Sequence, residues 1–104
     1  MLREVVRTVR AQPGPDAWVQ ALFTLESIAR TARAAADWEF AAWAAGQMLE
    51  HDPNYAGSHY AVAVAASHVG DRTTAAREFA AAVRLWDRAD PGLPELVEAK
   101  AGLR

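Results

Sequence analysis

Sliding the chain on itself by 34 residues brings Ala29 onto Ala63, Ala32 onto Ala66, Asp37 onto Asp71, Ala41 onto Ala75 and Ala42 onto Ala76. Ile28 meets Val62 and Leu49 meets Val83 in the same register. About a quarter of the residues are alanine, so five identities alone would be thin. Their placement is what constrains the fold. They fall on the apolar face of one helix-like run, on the turn after it, and on the apolar face of the next. A period of this length with two helical runs per unit is the pattern of stacked helical hairpins. Alanine favours helix and lets two helices approach closely where they cross.

Helix punctuation divides the chain. Asp16, Asp37, Asp52 and Asp71 each precede a helical run, where a carboxylate accepts free backbone N–H groups and favours the positive helix end. Pro53 suits the first helical position after Asp52. Gly70 suits a left-handed helix stop. Breaks stand at residues 13–15 and 90–94. Six helices are expected, near 2–11, 16–35, 37–51, 53–69, 71–88 and 94–103. No stretch alternates β-branched residues, so no strand is expected. In the second helix Trp18, Leu22, Leu25, Ala29 and Ala32 follow the helical spacing. Ala41, Ala45, Met48 and Leu49 form the inward face of the third.

The 104 residues suffice for one domain with a modest core, and a charged fraction of 23% fits an ordinary globular chain. The formal net charge of −2 argues against a general nucleic-acid binder. Arg3, Arg7 and Arg10 on the first helix and Arg72, Arg77, Arg84 and Arg88 on the fifth read as solvated faces. Glu4, Asp71, Glu78 and Asp87 balance them. Without cysteine, disulfides, thiolate metal sites and a Cys nucleophile are excluded. The first residues lack a long apolar run, so no membrane segment is expected and the cytoplasm is the expected compartment.

The units resemble the tetratricopeptide repeat, a hairpin of two antiparallel helices with a period of 34. The second unit, about 56–89, carries the motif as Ala63, Gly70, Asp71, Ala75, Phe79 and Ala82. The first, about 22–55, carries Ala29, Asp37 and Ala41, with Ala45 in place of the aromatic and Met48 in place of the last alanine. The pair Asp90-Pro91 lies 38 positions after Asp52-Pro53, which predicts a last helix one turn longer. The resemblance implies a single all-α domain over residues 1–104, a fragment of an α-solenoid. A flanking helix at 2–11 and a capping helix at 94–103 complete it, the latter with Leu96 and Val97 inward and Glu95, Glu98 and Lys100 outward.

The resemblance also implies a function: binding a peptide or a partner's helix in a concave groove. The groove positions map to Phe23, Glu26, Arg30 and Arg33 in unit one and Tyr60, Val64, Ser67 and His68 in unit two. The lysine-and-asparagine carboxylate clamp of the chaperone-type members is not matched, because Glu26, Arg30 and Ala61 stand there. Arg30 and Arg33 lie on one side of a helix, with Glu26 able to pair with Arg30. An acidic protein or peptide segment with an apolar anchor suits that surface, since guanidinium groups grip carboxylates bidentately. Phe40 and Trp43 lie beside the inward face of their helix. They mark either packing against the first helix or a second interface, and with it the alternative function: an oligomerisation or regulatory tail of a larger protein.

Catalytic and metal chemistry are weakly supplied. His59 and His68 are nine apart, on opposite faces of one helix, and His51 closes the helix before it. Metal ligands must converge on one point, so no metal and no cofactor is expected. Ser27, Ser58 and Ser67 lack a nucleophile turn, and nothing groups Glu39, Glu50 and Glu78 away from solvent. No enzyme is expected.

Overall fold

The computed structural model describes residues 2–11, 14–86 and 94–102. Among them are six helices and no strand: α1 (Leu2–Ala11), α2 (Pro15–Ala34), α3 (Trp38–His51), α4 (Ala56–His68), α5 (Arg72–Leu85) and α6 (Pro94–Gly102). Each helix packs on the next in chain order, and α4 also touches α2. The three- and four-residue turns after α2, α3 and α4 leave consecutive helices no option but to fold back antiparallel. The radius of gyration is 13.4 Å, close to the roughly 13 Å expected of a folded 100-residue domain.

The turns after α2 and α4 are built alike. After α2, the Ala36 N–H donates to the Arg33 carbonyl and the Asp37 N–H to the Ala32 carbonyl. After α4, Gly70 donates to Ser67 and Asp71 to Ala66. This pair of bonds is the Schellman helix stop, and it needs a left-handed residue. Gly70 takes that conformation at φ 87°, and Ala36 takes it at φ 57° despite its methyl group. Asp37 and Asp71 then cap the following helices, accepting the backbone N–H of Phe40 and Thr74. Hydrogen bonds from the Thr74 side chain and then its backbone N–H hold the Asp71 carboxyl below the usual carboxylate range.

Two of the four expected caps differ. Helix α2 starts at Pro15 with Gly14 as its cap residue, so Asp16 lies inside the first turn. There it still favours the helix dipole. Asp52 ends α3, and its carboxylate accepts the Asn54 N–H in a local turn. Pro53 and Asn54 belong to that turn, and α4 starts at Ala56 behind Tyr55. An aspartate bonded two residues on competes with capping a helix. Helix α5 ends at Leu85, 34 positions after His51, so it is not the longer helix expected. Asp87, Arg88 and the Asp90-Pro91 pair lie outside the described residues.

Small side chains form most of the core. Leu25 and Met48 are its largest fully buried members, with Val6 of α1 beside them. Ala29, Ala44, Ala45 and Ala61 close the same cluster. Burying one Leu or Met contributes about 1.5–3 kcal/mol, so these two matter more than any alanine. Helix α4 is buried on nearly every side because α2, α3 and α5 surround it. Its run of Ala, Gly and Ser is what lets three helices approach it. Ser58 is buried there and donates to the Met48 carbonyl at 3.3 Å. A second cluster joins Ala63, Val64, Ala75 and Phe79 to Ala99 of α6.

Helix α6 faces inward through Leu96 and Ala99. Val97, expected inward, is 53% exposed. Residues 96 and 99 share a helical face, whereas 97 stands 100° from 96. Glu78, expected at the surface of α5, is 6% exposed. Its carboxylate receives the Arg77 Nε–H at 3.1 Å and contacts His59 Nδ1. The His59 Nε2–H donates to the Pro53 carbonyl at 2.7 Å. His59 thus ties the 52–55 turn to α5, and Glu78 belongs to the structure of the seam.

Candidate functional site

Helix α2 presents Phe23, Glu26, Arg30 and Arg33 along one side. Phe23 is 64% exposed, the most exposed large apolar side chain described. Glu26 carries three contacts in a short space. It pairs with Arg30 at 3.5 Å, and it accepts the Tyr55 hydroxyl at 2.7 Å. It also sits against Gly57, where an added methyl would come within 2.5 Å of the Tyr55 ring and 2.9 Å of Glu26 Oε2. Gly57 is therefore the position that lets Tyr55 lie flat over the start of α4.

Arg33 reaches across to α4, its guanidinium 5.7 Å from the centre of the Tyr60 ring. Tyr60 packs beside Trp86, and its hydroxyl donates to Glu98 of α6. Burial and the bond to Glu26 push the Tyr55 phenol up to about 12. Burial and the bond to Glu98 raise that of Tyr60 as well. Arg30, Arg33, Tyr60 and Glu95 of α6 all border one narrow cleft of about 70 Å³. Small-molecule sites run about 300–1,000 Å³, so this cleft does not enclose such a ligand. It is a charged seam with Glu26, Arg30 and Arg33 on the α2 side and Glu95 on the α6 side.

The other mapped positions separate. Val64 is buried in the cluster with Phe79 and Ala99, so it supplies no open surface. Ser67 is exposed near the end of α4. His68 turns away and stacks on Trp38 with ring centres 3.6 Å apart. Glu26, Arg30, Arg33 and Tyr60 are the members brought together at one cleft, and Phe23 stands outside it on the same side of α2.

Phe40 and Trp43 stack on each other at 5.7 Å, and both are half-buried, Phe40 against the Ala32, Ala41 and Ala65 cluster. Arg3 of α1 lies 4.9 Å over Trp43, and Trp43 packs on the first core cluster. Arg10 of α1 fastens the same side through Gln47 at 2.6 Å and Glu50 at 3.1 Å. The first-helix arginines are therefore partly docking groups for α3. Phe40 instead borders an apolar depression of about 380 Å³ with Ile28, Ala32 and Ala35. Among the described residues no group of three or more His, Asp or Glu side chains could hold a metal ion. No described helix is long and apolar enough to cross a membrane.

Sequence reasoning missed the two carboxylates of α6. The signal was present: Glu95 and Glu98 are three apart and therefore on one side of the helix. Their destination beside Tyr60 depended on how α6 docks. The chain matches no family model, no curated protein and no solved structure.

Proposed function

We propose that this chain is a protein-interaction module made of two tetratricopeptide-like hairpins, with the α2 side as its binding face. The repeat reading is supported by the two Schellman stops and aspartate caps, 34 residues apart and hydrogen-bonded alike. One observation carries the functional reading: Phe23 stands 64% exposed on the same helix side as Arg30, whose side chain is 60% exposed. An exposed aromatic one or two turns from a guanidinium offers a partner both an apolar anchor and a carboxylate grip. The Glu26–Arg30 pair opposes this: Arg30 is exposed but the Glu26 side chain is 15% exposed, and helix pairs at this spacing contribute about 0.2–0.5 kcal/mol. The partner class is an acidic protein segment with an apolar side chain for Phe23.

The test is affinity capture with the whole chain, followed by binding measurements on the retained protein. Arg30→Ala with Arg33→Ala is expected to weaken binding and flatten its salt dependence. Phe23→Ala is expected to weaken binding with the salt dependence unchanged. A partner that binds the triple variant with full affinity refutes this face.

The apolar depression beside Phe40 favours a second reading, assembly through the α2–α3 face without a groove ligand. Light scattering during size exclusion separates the two. A stable oligomer that Phe40→Ser returns to monomer, in a chain whose α2 variants change nothing, selects assembly.

A further inference from the structure

The Tyr60 end of the surface read above as suited to an acidic segment already has an acidic helix against it, within the same chain, while the Phe23 end stays open. Helix α6 places Glu98 on the Tyr60 hydroxyl and Glu95 in the cleft with Arg30 and Arg33. Its Leu96 and Ala99 are the buried members of the same helix. Ala99 joins the cluster formed by Val64 and Phe79, while Trp86 borders both that cluster and the cleft. We infer that α6 is an internal ligand: it holds the Tyr60 end of the binding face closed. The external partner is an amphipathic helix that repeats its pattern, Glu-Leu-x-Glu-Ala.

Three observations support this assignment. The first is charge. Arg33 covers the Tyr60 ring from the α2 side while Glu98 holds its hydroxyl from the α6 side, so Tyr60 is shared between a cation and an anion. The second is anchoring. Only two described side chains of α6 are buried, against eight residues of α4 and five of α5. A helix with so few buried contacts opens locally before its neighbours do. The third is what opening would uncover. Loss of α6 removes Ala99 from the cluster of Val64 and Phe79, which the Tyr60–Trp86 pair flanks, and so uncovers part of that apolar cluster beside Arg33. A helix carrying leucine, alanine and two carboxylates at the α6 spacing would restore the Glu98–Tyr60 bond, the Ala99 packing and the Glu95 carboxylate at the cleft. A tethered segment competes at an effective concentration of order 1 mM, so α6 sets the affinity that an outside helix must exceed.

This inference rests on the reading of the α2 side as an interaction face, and it adds the occupant and its control. The probe is a labelled synthetic peptide of residues 92–104, titrated into the full chain. The wild-type chain is expected to bind it weakly. Leu96→Asp, which ejects α6, is expected to bind it at least about tenfold tighter. Adding Tyr60→Phe to that variant is expected to remove about tenfold, because the charge-assisted hydrogen bond to the glutamate is gone. Hydrogen exchange on the unmodified chain gives an independent readout: α6 amides are expected to exchange well before those of α4. Equal peptide binding by wild type and Leu96→Asp overturns the inference. So does α6 exchanging only together with α4 and α5, or Leu96→Asp losing helicity beyond the nine residues of α6. If the peptide fails on Leu96→Asp while a captured partner still depends on Phe23 and Arg30, the internal-ligand assignment falls and the interaction face stands.

Discussion

The two helix stops predict opposite responses to the same exchange of alanine and glycine. Ala36 and Gly70 occupy equivalent left-handed positions, at φ 57° and 87°. The left-handed region costs an alanine roughly 1–2 kcal/mol that glycine does not incur. Glycine loses about 0.5–1 kcal/mol more chain entropy on folding. Ala36→Gly should therefore stabilise the chain by about 0.5–1 kcal/mol. In a domain of this size that raises Tm by about 2–6 °C. Gly70→Ala should do the reverse, by about 1 kcal/mol or slightly less. No heavy atom lies within 4 Å of a methyl built at Gly70, so the loss is backbone strain alone, without a packing clash. Urea unfolding followed by circular dichroism gives both values, with m unchanged if only the native turn is affected. The sites lie in different turns, so the double variant should match the sum to within about 0.3–0.5 kcal/mol. If Ala36→Gly destabilises the chain as glycine does elsewhere in helical protein, or Gly70→Ala is neutral, the matched-stop argument is refuted.

Four further outcomes are expected. Ala41 and Ala75 are buried where the helices of each hairpin cross, so Ala41→Leu and Ala75→Leu should each overpack and cost about 1–3 kcal/mol. Unchanged melting temperatures for both contradict the hairpin packing. His59→Ala strips a partner from the buried Glu78 carboxylate and should cost about 1–3 kcal/mol, more than Glu78→Leu, which removes the charge itself. Urea titrations in which His59→Ala is harmless would count against that account. Both tyrosines ionise above their ordinary value, Tyr55 near 12. The neutral phenol is favoured in the folded state, so their contribution is intact below about pH 10 and is lost as pH climbs toward 12. Phenolate absorbance that rises near pH 10 in the folded chain contradicts this. EDTA should leave the melting curve in place, and a drop reversed by zinc would overturn the expectation that His51, His59 and His68 bind no metal.

Local chemistry made much of this fold legible in the chain itself. Asp37 and Asp71 declare their helices because a short acidic side chain satisfies N–H groups only three residues away. Gly70 marks its stop because one residue's backbone freedom decides a left-handed turn. The 34-residue register appears because alanines must recur wherever two helices cross at the same height. Interactions between distant residues were not legible in this way. Asp52 looked like a third cap, but its carboxylate bonds two residues on, and α4 begins later. Ala36 carries no sequence mark for a left-handed turn, since it adopts that conformation only because α2 and α3 must pack on either side of it. Glu78 reads as a surface charge until α4 brings His59 over it. Val64 and Tyr60 share a face of α4, and the packing of α5 and α6 buries Val64 with Phe79 and Ala99 while α6 bonds Tyr60 to Glu98. Hydrogen bonds within a few residues and helical periodicity are properties of the chain. Which carboxylate meets which arginine, and which apolar face stays open, depends on where a helix far along the sequence comes to rest, and that was decided by the tertiary structure.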